Sequence, residues 1–201
     1  MRNVWRQRLP YYAYSGISQL IDTVKAGTTA QQRREIDLIG KKDARLLFRV
    51  TNFFNPQRIL QVGAATGIES VTMLEVNSRS RLYLCEPQLE QKPLAVRVLQ
   101  SQMDRVVCYD DLKVAADEFL EAGEGSVMAL INSLVDKGLL LRLLDEGCVL
   151  VLRNLYRDED MSDLFDFCCE HMSAGQTYTN NKIAILNPNP KLQREDFLLW
   201  L

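Results

Sequence analysis

The sequence has a single histidine, no C-x-x-C pair and no long apolar run, and each absence removes a class of protein. Without C-x-x-C spacing, the five cysteines offer no zinc framework. No segment approaches the apolar length that spans a bilayer, and the charged start MRNVWRQRLPYYAY holds no apolar stretch of signal-peptide length. An excess of one charge is missing too. With 24 Lys and Arg against 26 Asp and Glu, a net charge of −2 gives no reason to expect nucleic acid or an acidic membrane as partner. No internal repeat and no low-complexity tract is present. The expectation is a cytoplasmic chain of one domain, residues 1–201, large enough to bury its own core without a metal or disulfide.

Cys85, Cys108, Cys148, Cys168 and Cys169 are odd in number, and two are adjacent. They read as reduced thiols, mostly buried, rather than as a disulfide set. The small basic clusters Arg2, Arg6, Arg8 and Arg33-Arg34 read as solvated faces.

Residues 1–55 read as a helical cap. Ile17, Leu20, Ile21 and Val24 share one helix face over Ser15–Lys25, and a second helix is expected over Gln31–Phe54, stopped by Asn55-Pro56. Beyond residue 56 the pattern becomes short apolar runs alternating with helices, which implies an α/β core with a mainly parallel sheet. The expected strands are Arg58–Val62, Arg81–Glu86, Arg105–Tyr109, Ser126–Asn132 and Cys148–Arg153. Their continuous apolar character suits strands covered on both faces. After a helix over Met161–Met172, the segments Gln176–Asn187 and Asp196–Leu201 are expected as two strands pairing antiparallel across the loop Pro188–Glu195.

The richest stretch is RILQVGAATGIES, where an apolar strand runs into Gly63 and Gly67 before a helix begins. A ligand lying on such a turn must approach backbone that a Cβ would block. A dinucleotide turn needs G-x-G-x-x-G, but Ala65 stands at the middle glycine. A phosphate loop needs G-K-[ST], and Ile68-Glu69 follows instead. The second strand ends in Glu86, placed for ribose hydroxyls, and the third in Asp110, placed for an adenine amino group. Together these point to an adenosine-type ligand.

The segment ILQVGAATGIESVTML resembles the S-adenosylmethionine motif of class I O-methyltransferases of the catechol and caffeoyl-coenzyme A types. DEGCVLVLRNLYRD and KIAILNPNPKLQREDFLLWL resemble that family's later segments, so the likeness runs from about Lys41 to the C-terminus. It implies a three-layer, Rossmann-like methyltransferase fold with a mostly parallel seven-stranded sheet, a C-terminal antiparallel hairpin and N-terminal helices. It also implies S-adenosylmethionine as cofactor, held by Gly63, Ala65, Gly67, Ser70, Glu86 and Asp110, and a small-molecule methyl acceptor.

Where metal-using members of that family carry an Asp and then an Asp-Asn pair, this chain has Asn132 and Arg153-Asn154. An amide and a guanidinium there remove most of the negative charge a hard divalent cation requires. The resemblance therefore implies no metal, and Asn132, Arg153 and Asn154 are the candidate catalytic residues, with Arg153 a candidate ligand for an anionic acceptor. The family's lysine is not matched, and Asp136-Lys137 nearby reads as a surface helix start. His171 reads as a solvated residue near a helix C-terminus. Tyr11, Tyr12 and Tyr14 read as packing or homodimer-contact residues ahead of pocket residues, and Trp200 is expected to pack on the sheet. Two functions follow: a metal-independent methyltransferase, or a methyltransferase-like binding or scaffold protein that has lost catalysis. Gln61, Asn132 and Arg153, each without a carboxylate, count for the second, while the family resemblance favours the first.

Overall fold

The computed structural model describes residues 11–199. The expectations for Arg2, Arg6, Arg8 and Trp200, and for the side chains of Tyr11 and Tyr12, lie outside the described residues. Among the described residues the order begins with three helices: α1 (Tyr11–Ala26), α2 (Ala30–Glu35) and α3 (Lys41–Phe54). The single helix expected over Gln31–Phe54 is thus two. Thr29 and Gln32 close a capping box at the start of α2, but Asp37 has φ of 47° and breaks the run before α3. Asn55 ends α3 in the left-handed region at φ 45°, just before Pro56.

Strands and helices then alternate: β1 (Arg58–Val62), α4 (Ile68–Leu74), β2 (Arg81–Cys85), α5 (Pro93–Leu99), β3 (Val106–Tyr109), α6 (Leu112–Glu121), β4 (Val127–Ile131), α7 (Lys137–Asp145), β5 (Val149–Arg153) and α8 (Glu159–His171). β6 (Gln176–Thr179), β7 (Ile183–Asn187) and β8 (Glu195–Leu198) close the chain. The sheet order is β3-β2-β1-β4-β5-β7-β6-β8, eight strands rather than seven. β1 to β5 pair parallel, while β7 lies antiparallel between β5 and β6.

Two expectations at this end are corrected. Gln176–Asn187 is itself a hairpin, turning at Asn181 with φ of 63°. The last strand, β8, then pairs parallel with β6. The loop after β7 carries the chain back to Gly175, whose N–H donates to Leu192 and whose carbonyl accepts from Glu195, so β8 starts level with β6.

Alternate residues of each central strand face opposite layers. Ile59, Leu82, Leu84, Met128, Leu130 and Val151 pack with α1, α3, α4 and α5, whereas Leu60, Val62, Ala129, Ile131, Leu150 and Leu152 pack with α6, α7 and α8. β3 departs from the expected full cover: as an edge strand its Val107 and Cys108 are exposed.

Candidate functional site

In an open parallel sheet, ligands bind beyond the carboxyl ends of the strands where the strand order reverses. Here β1 is the switch, with β2 and β3 on one side and β4 and β5 on the other. A cavity of about 730 Å³ opens there, walled in part by Gly63, Ala65, Glu86, Asp110, Asn132 and Asn154. Small-molecule sites usually occupy roughly 300–1,000 Å³, so the space suits one.

The glycine turn keeps this cavity open. Gly63 has φ of +85°, and a Cβ there would lie 3.3 Å from both Asn132 Cβ and Ser133 Oγ. Gly67 serves packing instead, since its missing Cβ would lie 3.1 Å from the Ala95 carbonyl oxygen. Ser70 is fully buried and donates to Gln61 Oε1 at 2.7 Å. Neither Gly67 nor Ser70 lines the cavity.

Gln61 has a role that a carboxylate would fail to fill. While its Oε1 accepts from Ser70, its Nε2 donates to the Gly63 carbonyl at 2.9 Å. An amide offers donor and acceptor at once, whereas an ionised carboxylate only accepts. Gln61 therefore ties β1, the turn and α4 together beneath the cavity.

Glu86 is buried at the tip of β2. Its Oε2 accepts from the Ala64 N–H at 2.6 Å, and its Oε1 lies 2.7 Å from Lys92 Nζ. Asp110, at the tip of β3, accepts from the Gln88 N–H at 3.1 Å. Its neighbour Asp111 caps α6.

Beyond β4 and β5 lies an ion cluster whose carboxylates the sequence did not reveal. Arg153, 5% exposed, sends Nη1 to the fully buried Glu69 at 2.6 Å and to Asn132 Oδ1 at 3.2 Å, with Asp37 at 3.4 Å. Asp37 also accepts from Asn154 Nδ2 at 2.9 Å and from Arg157 at 2.6 Å. Burial pushes the Glu69 carboxyl above the usual range, and the Arg153 guanidinium pulls it back. Arg153 does not border the main cavity, and a carboxylate and an amide engage its Nη1; it lines a smaller neighbouring pocket with Asp37, Asn154 and Arg157.

The positions implied as metal ligands do not suit one. Asn132 and Arg153 hydrogen-bond to each other, and among the described residues no group of three or more His, Cys, Asp or Glu is placed to hold a metal ion. Glu69 and Asp37 carried one faint signal each: an acid in the first turn of the helix after the glycines, and an acid beside Leu38 and Ile39 that interrupts a helical run.

The remaining residues fall where plain packing puts them. His171 Nδ1 sits 2.8 Å from the Phe167 carbonyl in the exposed last turn of α8, and Asp136 caps α7. Tyr14 donates to the Lys41 carbonyl at 2.7 Å and meets Phe48 edge-on. All five cysteines are free, with Cys108 the exposed exception to the expected burial.

No protein-family model matches the chain, and no curated protein sequence matches it. Solved structures do. A methyltransferase from Podospora anserina, bound to S-adenosylhomocysteine, superposes with a TM-score of 0.59 at 12% identity, over 85% of this chain and 86% of that one. The O-methyltransferase TomG from Streptomyces achromogenes, in complex with S-adenosylmethionine, gives 0.54 at 16% identity, over 87% and 88%. An O-methyltransferase from Bacillus cereus, in complex with S-adenosylhomocysteine, gives 0.54 at 15%, over 88% and 90%. The chain has the class I methyltransferase fold. At these identities the likeness speaks for the methyltransferase fold alone, with one strand more than the seven implied by the sequence.

Proposed function

We propose that this protein is an S-adenosylmethionine-dependent methyltransferase that works without a metal on a small-molecule acceptor. The observation that carries the reading is the cavity at the switch point, bordered by Gly63 and Ala65 in the turn after β1, Glu86 just past β2 and Asp110 just past β3. Similarly folded proteins bound to S-adenosylmethionine or S-adenosylhomocysteine support it. When bound, S-adenosylmethionine supplies a methyl group on a cationic sulfur. The chain's part is then to hold donor and acceptor in line, a role that proximity alone performs well. Asp110 accepts from the adenine side, Glu86 from the ribose, and the turn at Gly63 leaves room for the ligand's backbone-facing edge.

The metal-independent part rests on Arg153, a fixed cation at a position where a metal would need an anion. The five free thiols support a reducing, cytoplasmic setting. Among the described residues, no helix is long and apolar enough to cross a membrane.

The test is calorimetric titration with S-adenosylhomocysteine and S-adenosylmethionine. Saturable binding at one site per chain is expected. No detectable heat at millimolar ligand would sink this reading and leave the binding or scaffold role.

A further inference from the structure

On the methyltransferase reading Glu86 faces the ribose of the ligand, and the chain sets a cation beside it. Lys92 borders the same cavity, with its Nζ 2.7 Å from Glu86 Oε1. Among the described residues it is the one cation on a wall that also carries the carboxylates of Glu35, Asp37, Glu86 and Asp110.

Local structure gives no reason for a lysine there. Lys92 is the N-cap of α5, makes no side-chain cap bond, and brings positive charge to the positive end of a helix. Asp, Asn or Ser would hold that end better. The backbone fixes where the side chain starts. The Lys92 N–H donates to the carbonyl of buried Leu89 at 2.9 Å, and Pro93 stands in the first turn that follows.

What the pair offers a ligand is complementary hydrogen bonding. A ribose carries two adjacent hydroxyls, each both donor and acceptor, whereas an ionised carboxylate only accepts and an ammonium only donates. Glu86 is buried with Oε2 held by the Ala64 N–H at 2.6 Å, and it turns Oε1 to Lys92. A hydroxyl that donates to Oε1 lies roughly 4–5 Å from Nζ. The lysine side chain is 44% exposed, and its flexible stem covers the remaining distance. An ammonium has three N–H donors, and among the described residues Glu86 is its one ion-pair partner, so donors remain for a hydroxyl oxygen. Either residue alone would answer half of the diol.

We infer that Lys92 is a specificity-determining residue: with Glu86 it forms a donor–acceptor pair that reads the 2′,3′-diol, so the cleft selects ribonucleosides with both hydroxyls free.

The test is displacement of bound S-adenosylhomocysteine by adenosine and by 2′,3′-dideoxyadenosine, on wild type, Lys92→Met and Lys92→Arg. Wild type is expected to bind adenosine at least about twentyfold more tightly than the dideoxynucleoside. Lys92→Met is expected to lower that ratio at least about fivefold, and Lys92→Arg, which keeps charge and donors, by less than about twofold. The ratio, rather than either affinity, isolates the contact between Lys92 and the diol. An equal ratio in wild type and Lys92→Met overturns the inference even where both ligands weaken, because Lys92 then only braces the wall. A wild-type ratio under about threefold overturns it without any variant and leaves the methyltransferase reading intact. No binding of S-adenosylhomocysteine to wild type at millimolar concentration overturns that reading, and the inference with it.

Discussion

Arg153 shows what the identity of one side chain reveals of a site and what it hides. A guanidinium is a fixed cation, so its identity argues on charge against a metal-ligand role. Its partners were hidden, because Glu69 and Asp37 lie 84 and 116 positions away in the chain and only the sheet brings them together. A buried pair of this kind adds little net stability, yet removing one partner leaves a bare charge at a cost of ~3–5 kcal/mol. Arg153→Met is therefore expected to destabilise the protein by about that amount at pH 7.5 in urea unfolding. The sign of its pH dependence follows from Glu69. That carboxyl is raised by burial, and the mutation removes the guanidinium that opposes the rise. A raised acid favours the fold below its unfolded pKa of about 4.3, and the benefit is lost as pH rises through the folded value. The deficit relative to wild type should shrink toward pH 5. Replacing Glu69 with Leu in the same chain should recover most of it, and a deficit that ignores both changes would contradict the pairing.

At the scale of elements, the alternating pattern of residues 56–172 was legible because buried parallel strands are continuously apolar and helices separate them; α6, α7 and α8 also begin on Asp caps. Two boundaries were not. The break between α2 and α3 depends on Asp37 adopting a positive φ to reach three donors on β5 and the turn after it, a tertiary demand that helical periodicity does not register. The turn at Asn181 lies inside a polar run, TNNK, that carries no glycine, so the β6–β7 hairpin reads as one strand. The parallel pairing of β8 depends on Gly175, with φ of +96° and an absent Cβ that would lie 2.1 Å from the Asn187 carbonyl oxygen. Gly175→Ala is expected to cost about 2–4 kcal/mol, through strain at a left-handed position and displacement of backbone. Hydrogen exchange should show the loss concentrated in β6 and β8. Unchanged protection there would remove Gly175 as the reason this edge closes as it does.

For the whole molecule, the sheet order turns scattered residues into one cleft. Gly63, Ala65, Glu86 and Asp110 were legible because glycine turns and acids at strand ends have fixed positions relative to the sheet. Gly67 and Ser70 belong to the same motif but support the cleft from behind. If the cleft binds S-adenosylhomocysteine, ligand at a hundred times its dissociation constant adds ~2.7 kcal/mol to stability. For a chain of this size that raises Tm by roughly 5–10 °C in a thermal shift assay. On the proposed metal-independent reading, exchanging Mg²⁺ for EDTA should alter that shift by less than about 1 °C; a larger dependence on Mg²⁺ would contradict that reading. The most direct test of the cleft itself compares calorimetric titrations of S-adenosylhomocysteine into the wild type and Glu86→Ala. The account predicts one site per chain in the wild type and at least about tenfold weaker binding in the variant, from the loss of hydrogen bonds to a charged group. Equal affinity in the two proteins, or no binding to either, would contradict it.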